Sequence, residues 1–257
     1  MLTLNKILTV VILLCFGIPL VYGYEEIPIT YSGTKDHVQF DGKWTFEYEW
    51  KESSLNQYSY DNWNTLIILR SAHQGNFVYL LLDVVSDESL NSGLDKAIVC
   101  FDTKNDKNIV ADYDDFCFMS ILDQQIGTAY QGDPKSSYQN GYEEMSNPEG
   151  FMGIGGISDE NDRYSAVPHA TYEFRIPTDL IGRSSVYGFS FAVYDENTKK
   201  FYTYPDGIVT NNGFSNPNEW GEIYSPDKSL PEFHLAPLVT VLSIASVVII
   251  TRITRII

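Results

Sequence analysis

Short runs rich in Val, Ile, Phe and Tyr recur along the middle of this chain, and Gly, Asn, Asp or Pro separates most of them. Such punctuation leaves no room for long helices and directs the chain into many short strands. Trp44, Phe46, Tyr48 and Trp50 alternate with Thr45, Glu47 and Glu49. A period of two predicts a half-buried strand with these four aromatic residues on one face and Trp44 and Trp50 in the core. Further strands are expected over Thr65–Arg70, Phe77–Val85, Ala97–Phe101, Phe116–Leu122, Thr171–Ile176, Val186–Tyr194 and Lys200–Tyr204. Gln74-Gly75-Asn76 reads as a hairpin turn between two of them, and Gly150–Ser158 as a strand softened by glycine. One helical turn is expected at Pro177–Ile181, stopped by Gly182. Many short strands at near-regular spacing predict an all-β, antiparallel two-sheet sandwich.

The two ends carry a different message. Residues 1–23 read as a secretory signal, with Lys6 in the charged region, Ile7–Leu20 apolar, and Val21-Tyr22-Gly23 before a mature start at Tyr24. An uncleaved N-terminal anchor is the alternative, although the apolar run is short for a span of about 20 residues. Leu235–Ile250 is uncharged and is followed by Arg252 and Arg255, the pattern of a single transmembrane helix with a cytoplasmic end. Pro231-Glu232-Phe233, then the apolar stretch, then the basic residues, resembles the C-terminal sorting signals of archaeal surface proteins. His234 stands where a glycine follows the phenylalanine in that pattern. The expected organisation is a signal (1–23), a lead-in (24–35), one sandwich domain (36–224), a stalk with the sorting motif (225–234) and a membrane helix (235–257), which places the body at the cell surface.

Three of the 17 basic residues and none of the 34 acidic ones lie in the two end segments, so the body carries 14 basic residues and a net charge of −20. Such a surface repels nucleic acid, whose binding needs Lys and Arg against phosphate. It suits divalent cations or neutral ligands. No Asn-x-Ser/Thr acceptor occurs, which disfavours a heavily glycosylated structural envelope protein, a reading that remains an alternative.

Six segments stand in order: FDGKWTFEYEW (Phe40–Trp50), FVYLLLDVVSDES (Phe77–Ser89), AIVCFDTKND (Ala97–Asp106), YEFRIPTDLIG (Tyr172–Gly182), YGFSFAVYDEN (Tyr187–Asn197) and NPNEWGEI (Asn216–Ile223). Together they resemble the family-nine carbohydrate-binding modules and their DOMON-like relatives. The resemblance implies a jelly-roll-like sandwich that binds sugars or, in some branches, haem. It implies no catalysis, although such modules often accompany glycoside hydrolases.

Outside the signal the chain has two cysteines, Cys100 and Cys117. An even count in an exported body suggests a disulfide, with two buried free thiols as the alternative. If Ala97–Asp102 and Asp115–Ile121 pair with Cys100 opposite Cys117, then Val99, Phe101, Phe116 and Phe118 share the other, core-facing side. That register also sets Asp102 against Asp115, a like-charge pair that destabilises a sheet. Between them lie Asn105, Asp106, Asn108, Asp112 and Asp114. These carboxylates and amides are candidate calcium ligands, a solvated acidic loop being the alternative.

Sugar faces stack on aromatic rings, and Trp63 and Trp220 sit beside loops as candidate contacts, with Tyr130, Tyr138 and Tyr142 on a second, exposed loop. Packing rather than contact is the alternative for Trp220. No Gly-x-Ser-x-Gly, zinc-spaced histidine pair or Cys-x-x-Cys-His occurs. The leading expectation is a non-catalytic, carbohydrate-binding surface protein. A haem module is the runner-up, with Met119, Met145, Met152, His73 and His169 as the available axial ligands.

Overall fold

The computed structural model describes residues 27–226, with the side chain of Trp63 left out. The expected signal, the Pro231-Glu232-Phe233 motif and the C-terminal helix lie outside the described residues. Among the described residues no helix is long and apolar enough to cross a membrane.

Two sheets face each other. The first contains β1 (Ile27–Pro28), β6 (Lys96–Asp102), β7 (Asp115–Ile121), β8 (Thr128–Gly132), β9 (Tyr142–Met145), β12 (Val186–Asp195), β13 (Lys200–Tyr204) and β14 (Gly221–Tyr224). Its order is β1-β14-β12-β6-β7-β8-β9, with β13 on β12 beside β14. The second contains β2 (Thr30–Tyr31), β3 (Ser54–Tyr60), β4 (Thr65–Gln74), β5 (Phe77–Val84), β10 (Met152–Ile157) and β11 (Ala170–Pro177), in the order β10-β11-β5-β4-β2 with β3 also on β4. The short helix α1 (Thr178–Ile181) follows β11 and stops at Gly182, as the sequence predicts.

Period-two alternation explains the layers. Val99, Phe101, Phe118, Phe189 and Phe191 from the first sheet meet Leu80, Leu82, Tyr172 and Phe174 from the second in one core. The glycine-softened strand is β10, and Gly75 supplies the left-handed φ of +58° that closes the β4–β5 hairpin.

Three expectations need correction. The lead-in is part of the sandwich: β1 pairs in parallel with β14, β2 pairs in parallel with β4, and Ile27 and Ile29 are buried. The sheets are therefore mixed rather than purely antiparallel. Tyr130–Glu144, read as an exposed loop, begins and ends in the antiparallel pair β8–β9, and only the connection 133–141 is a loop.

Most informatively, Trp44–Trp50 is not a strand. Side chains replace the ladder there: Glu49 Oε2 accepts the N–H groups of Thr45 and Phe46 at 2.8 and 3.0 Å, and its Oε1 accepts that of Gln39 at 3.0 Å. Gly42, at φ +88°, presses against the second sheet, where an added Cβ would meet the Gly156 nitrogen at 2.5 Å. The resulting loop lies over the outer face of the second sheet. There Trp44 and Trp50 pack with Tyr79 and Leu81, while Phe46 and Tyr48 stack on each other in solvent. Both tryptophans are core, as expected, but they reach it from a loop.

Candidate functional site

The outer face of the first sheet has two halves. One half is roofed. Cys100 and Cys117 are directly paired and disulfide-bonded, and around them pack Ile98, Tyr130, Tyr142, Phe214 and Trp220. Trp220 stacks on Tyr142 with ring centroids 6.3 Å apart, and its Nε1 donates to Ser215 Oγ at 2.8 Å. Trp220 and Tyr142 are thus buried, which corrects their reading as ligand contacts, whereas Tyr130, though largely buried, lines the adjoining open groove. Their rings fill the space between the sheet and the loop that covers it. A chain closure of 17 residues is worth about 3 kcal/mol. The double variant Cys100→Ser, Cys117→Ser is therefore expected to melt roughly 6 to 12 °C lower by calorimetry; an unchanged Tm would contradict it.

The other half is open. Lys96 on β6, Tyr194 on β12 and Phe201 on β13 occupy consecutive outward positions, because Lys96 pairs with Tyr194 and Tyr194 with Phe201. Tyr194 and Phe201 stand 4.8 Å apart at 41°, with the Lys96 ammonium 5.4 and 5.7 Å from their centroids. Lys96 donates to Asn212 Oδ1 at 2.9 Å, and burial lowers its pKa. Gln139 lines the same groove, and its buried Oε1 has no hydrogen-bond partner among the described residues. Leu94 is exposed at the rim. The groove encloses about 500 Å³. Apolar ring faces beside a fixed ammonium, two amides and the Glu196 carboxylate match a ligand that has both C–H faces and hydroxyl groups. Tyr138, a predicted contact, is exposed one residue from Gln139.

By contrast, the Trp44 face in the small pocket by Asn161 is covered by the guanidiniums of Arg70 and Arg163, at 5.3 and 5.5 Å.

Lys96, Tyr194, Phe201, Gln139 and Asn212 escaped the sequence reading, which favoured tryptophans in polar stretches. One signal was available: Val-Tyr-Asp-Glu-Asn-Thr-Lys-Lys-Phe-Tyr is a hairpin that places Tyr194 opposite Phe201.

At the far end of β6, Asp102 does face Asp115. The loop settles this repulsion with its own groups. Asp102 accepts the N–H groups of Asp106 and Lys107 at 3.3 and 2.9 Å. Burial, followed by the charges of Asp102, Asp112 and Asp114, pushes the Asp115 carboxyl up to about 8, so a proton neutralises it at pH 7. Lys104 pairs with Asp114 at 2.7 Å. Asn108 Nδ2 donates to Asp112, and Asn105 Nδ2 turns away to Glu222. Of the predicted ligand set, Asp102, Asp106 and Asp114 bring carboxylate oxygens within 4.8 Å of one another.

Among the possible axial ligands, His169 is fully buried and engaged at both ring nitrogens. Its Nε2 lies 2.6 Å from Asp83 Oδ1, and its Nδ1 lies 2.8 Å from the Val167 carbonyl and 2.9 Å from Ser158 Oγ. Burial alone would lower its pKa, but the Asp83 hydrogen bond and charge raise it above the ordinary value. With oxygen partners at both nitrogens, the ring has none free to ligate haem. His73 packs edge-on against Tyr31 at the end of β4.

No protein-family model and no curated protein matches the chain. Among solved structures, a family 9 carbohydrate-binding module from Caldicellulosiruptor kristjanssonii in complex with glucose superposes with a TM-score of 0.51 at 18% identity, over 78% of this chain and 95% of that one. The fold is similar to that of a family 9 carbohydrate-binding module. The same organism's module in complex with cellotriose aligns with a TM-score of 0.48 at 18% identity, over 78% and 93% of the two chains. At such identity the family 9 likeness concerns the fold, and the site has to be argued from this chain's own residues.

Proposed function

We propose that this chain is a non-catalytic carbohydrate-binding module whose site is the open groove formed by Lys96, Tyr194, Phe201, Gln139 and Asn212. The observation that carries the reading is the groove's make-up: two ring faces on paired strands, flanked by an ammonium and amides held by the fold. A sugar ring lays its C–H face on Tyr194 or Phe201 while its hydroxyls hydrogen-bond to the Lys96 and Asn212 groups. The family 9 fold, and the glucose in that complex, support glucosyl units as the first ligands to test. The signal and tail read from the sequence put the module at the cell surface with its body outward.

The test is calorimetric titration of the full chain with glucose and short β-glucans. Tyr194→Ala removes a ring face worth about 1.5 to 3 kcal/mol of apolar burial. Its Kd is therefore expected to rise roughly 10- to 100-fold, with Trp44→Ala, on the opposite face of the molecule, as the comparison. Sugar binding that Tyr194→Ala and Phe201→Ala leave intact would move the site elsewhere. No binding to any glycan would end the carbohydrate reading.

A further inference from the structure

Among the described residues, the ammonium of Lys96 has no anion paired with it. In a sheet the nearest partners of a lysine are its cross-strand neighbours, and those of Lys96 are Ile121 on β7 and Tyr194 on β12, neither of them acidic. Its hydrogen bond goes to Asn212 Oδ1, a neutral acceptor, which leaves the ammonium with donors to spare. Lys43, Lys51, Lys104, Lys199 and Lys200, by contrast, each form an ion pair with a carboxylate. Burial alone displaces the pKa of Lys96, whereas carboxylate fields also act on the other inward lysines, Lys35 and Lys107.

The groove around it does not supply the missing charge. Glu196, the carboxylate among its lining residues, is already engaged: Lys199 pairs with its Oε1, and its Oε2 accepts the Tyr194 hydroxyl at 2.9 Å. The two rings hold the ammonium at 5.4 and 5.7 Å, close to the roughly 6 Å limit of a cation–π contact. Met119 and Ile121 add apolar surface beside it. A half-buried cation among apolar groups feels an incoming anion more strongly than a lysine in open water does. Hydrogen bonds between an ammonium and a carboxylate are also about twice as strong as those between neutral groups.

We propose that the sugar taken by this groove carries a carboxylate, as a uronic acid does, and that Lys96 binds it. The proposal rests on the reading of the groove as a glycan site and adds the class of glycan. The ammonium stands near both rings, so a sugar lying on Tyr194 or Phe201 brings a substituent at its edge to Lys96. In a hexuronic acid the carboxylate is such a substituent. It replaces the exocyclic hydroxymethyl group and leaves the C–H face free to stack. Charge narrows the class further: the chain's net charge of −17 works against a polymer that is charged at every unit. At physiological salt that field is screened beyond about 8 Å, whereas direct contact with Lys96 is not. The ligand is therefore a glycan with isolated uronosyl units rather than a polyanion.

The experiment titrates the full chain calorimetrically with methyl β-glucoside and methyl β-glucuronide, which differ only at the exocyclic carbon, at about 0.15 M salt. The glucuronide is expected to bind roughly 10-fold tighter, the gain of a charge-assisted contact. The readout is the ratio of the two Kd values, in which a general loss of affinity cancels. Lys96→Gln, which removes the ammonium, is expected to bring that ratio to about one or to reverse it; Lys96→Arg is expected to keep the preference. Should Lys96→Gln fail to fold, Asn212→Asp decides by the same ratio, because it gives the ammonium an internal anion at a turn position, φ +55°, that aspartate tolerates. Glucoside binding with no preference for the glucuronide overturns the proposal and leaves the groove a site for neutral sugars. So does a preference that survives Lys96→Gln. A glucoside sulfated at the same carbon that binds tighter than the glucuronide would replace the carboxylate by a sulfate ester. Binding of none of these sugars, nor of longer glucans, would overturn the glycan reading as well, so the two failures are told apart.

Discussion

Glu173→Ala is expected to lower the unfolding free energy by about 4 kcal/mol and to release the loop that carries Trp44 and Trp50. Glu173 sits on β11 with no exposure, on the outer face of the second sheet. Its Oε2 accepts the N–H groups of Gly42 and Asp41 at 2.9 and 3.1 Å, and its Oε1 accepts Trp50 Nε1–H at 3.0 Å. Truncation strands three donors, each costing about 1 to 3 kcal/mol when left buried and unpaired, and opens a cavity beneath Trp50. Burial holds the Glu173 carboxyl well above the ordinary carboxylate range. Glu173→Gln, of the same size, keeps an oxygen for the Gly42 and Asp41 N–H groups and strands only Trp50 Nε1–H, and is expected to cost no more than about 2 kcal/mol. Urea denaturation followed by tryptophan emission checks both. A loss below 1 kcal/mol for alanine, with unchanged emission, would show that the loop holds itself through Glu49 alone.

Asp115→Asn is expected to flatten the dependence of stability on pH and to stabilise the protein at pH 8. The Asp115 carboxyl keeps its proton up to about pH 8 in the folded chain but only to 3.8 when free. Between those values the folded state holds the extra proton. The stabilisation linked to it is therefore complete below pH 3.8 and is lost as pH rises through 8. From pH 5 to pH 8 the loss at this group is about 3.6 kcal/mol. The charges that oppose its ionisation are those of Asp102, Asp112 and Asp114, with the buried Tyr142 hydroxyl nearby. Asparagine keeps the shape, leaves an oxygen for the Asp112 N–H, and offers Asp102 a donor where the carboxylate offered repulsion. Some slope remains in the variant because Asp83 and Asp95 are also pushed up to about 6 by burial. Calorimetric Tm values at pH 5, 6, 7 and 8 measure the difference. Parallel profiles for wild type and variant would mean that Asp115 is ionised in the folded state.

Much of the sandwich was legible along the chain. The alternation in Ala97–Phe101 and Phe116–Leu122 placed Cys100 opposite Cys117 and Phe101 with Phe118 in the core, and both hold. A register of period two leaves one solution when one face is apolar and the other carries the cysteines. The same rule failed at Trp44–Trp50, where the pattern is as regular. Backbone N–H groups accept any good oxygen as partner, and there the Glu49 and Glu173 carboxylates outcompete a neighbouring strand. Ser54–Tyr60 was missed for the opposite reason. Its Asn, Gln and Ser residues give no apolar face, and pairing with β4 makes it a strand.

The sequence by itself determined the all-β class, the disulfide pair, the β4–β5 turn and the acidic balance of the chain. Each follows from short-range chemistry: alternation, turn residues, charge and cysteine count. Only the tertiary structure decided which aromatic residues are available to a ligand. Trp220 and Tyr142 look like contacts in polar stretches, yet a returning loop buries them, while Tyr194 and Phe201, ordinary strand residues, are left with Tyr130 at an open groove. The same holds for Asp195, which is far along the chain from Asp87 and Asp95 and meets them only when β6 pairs with β12. Exposure and the convergence of like charges depend on which distant segments come to lie together. No local pattern carries that information.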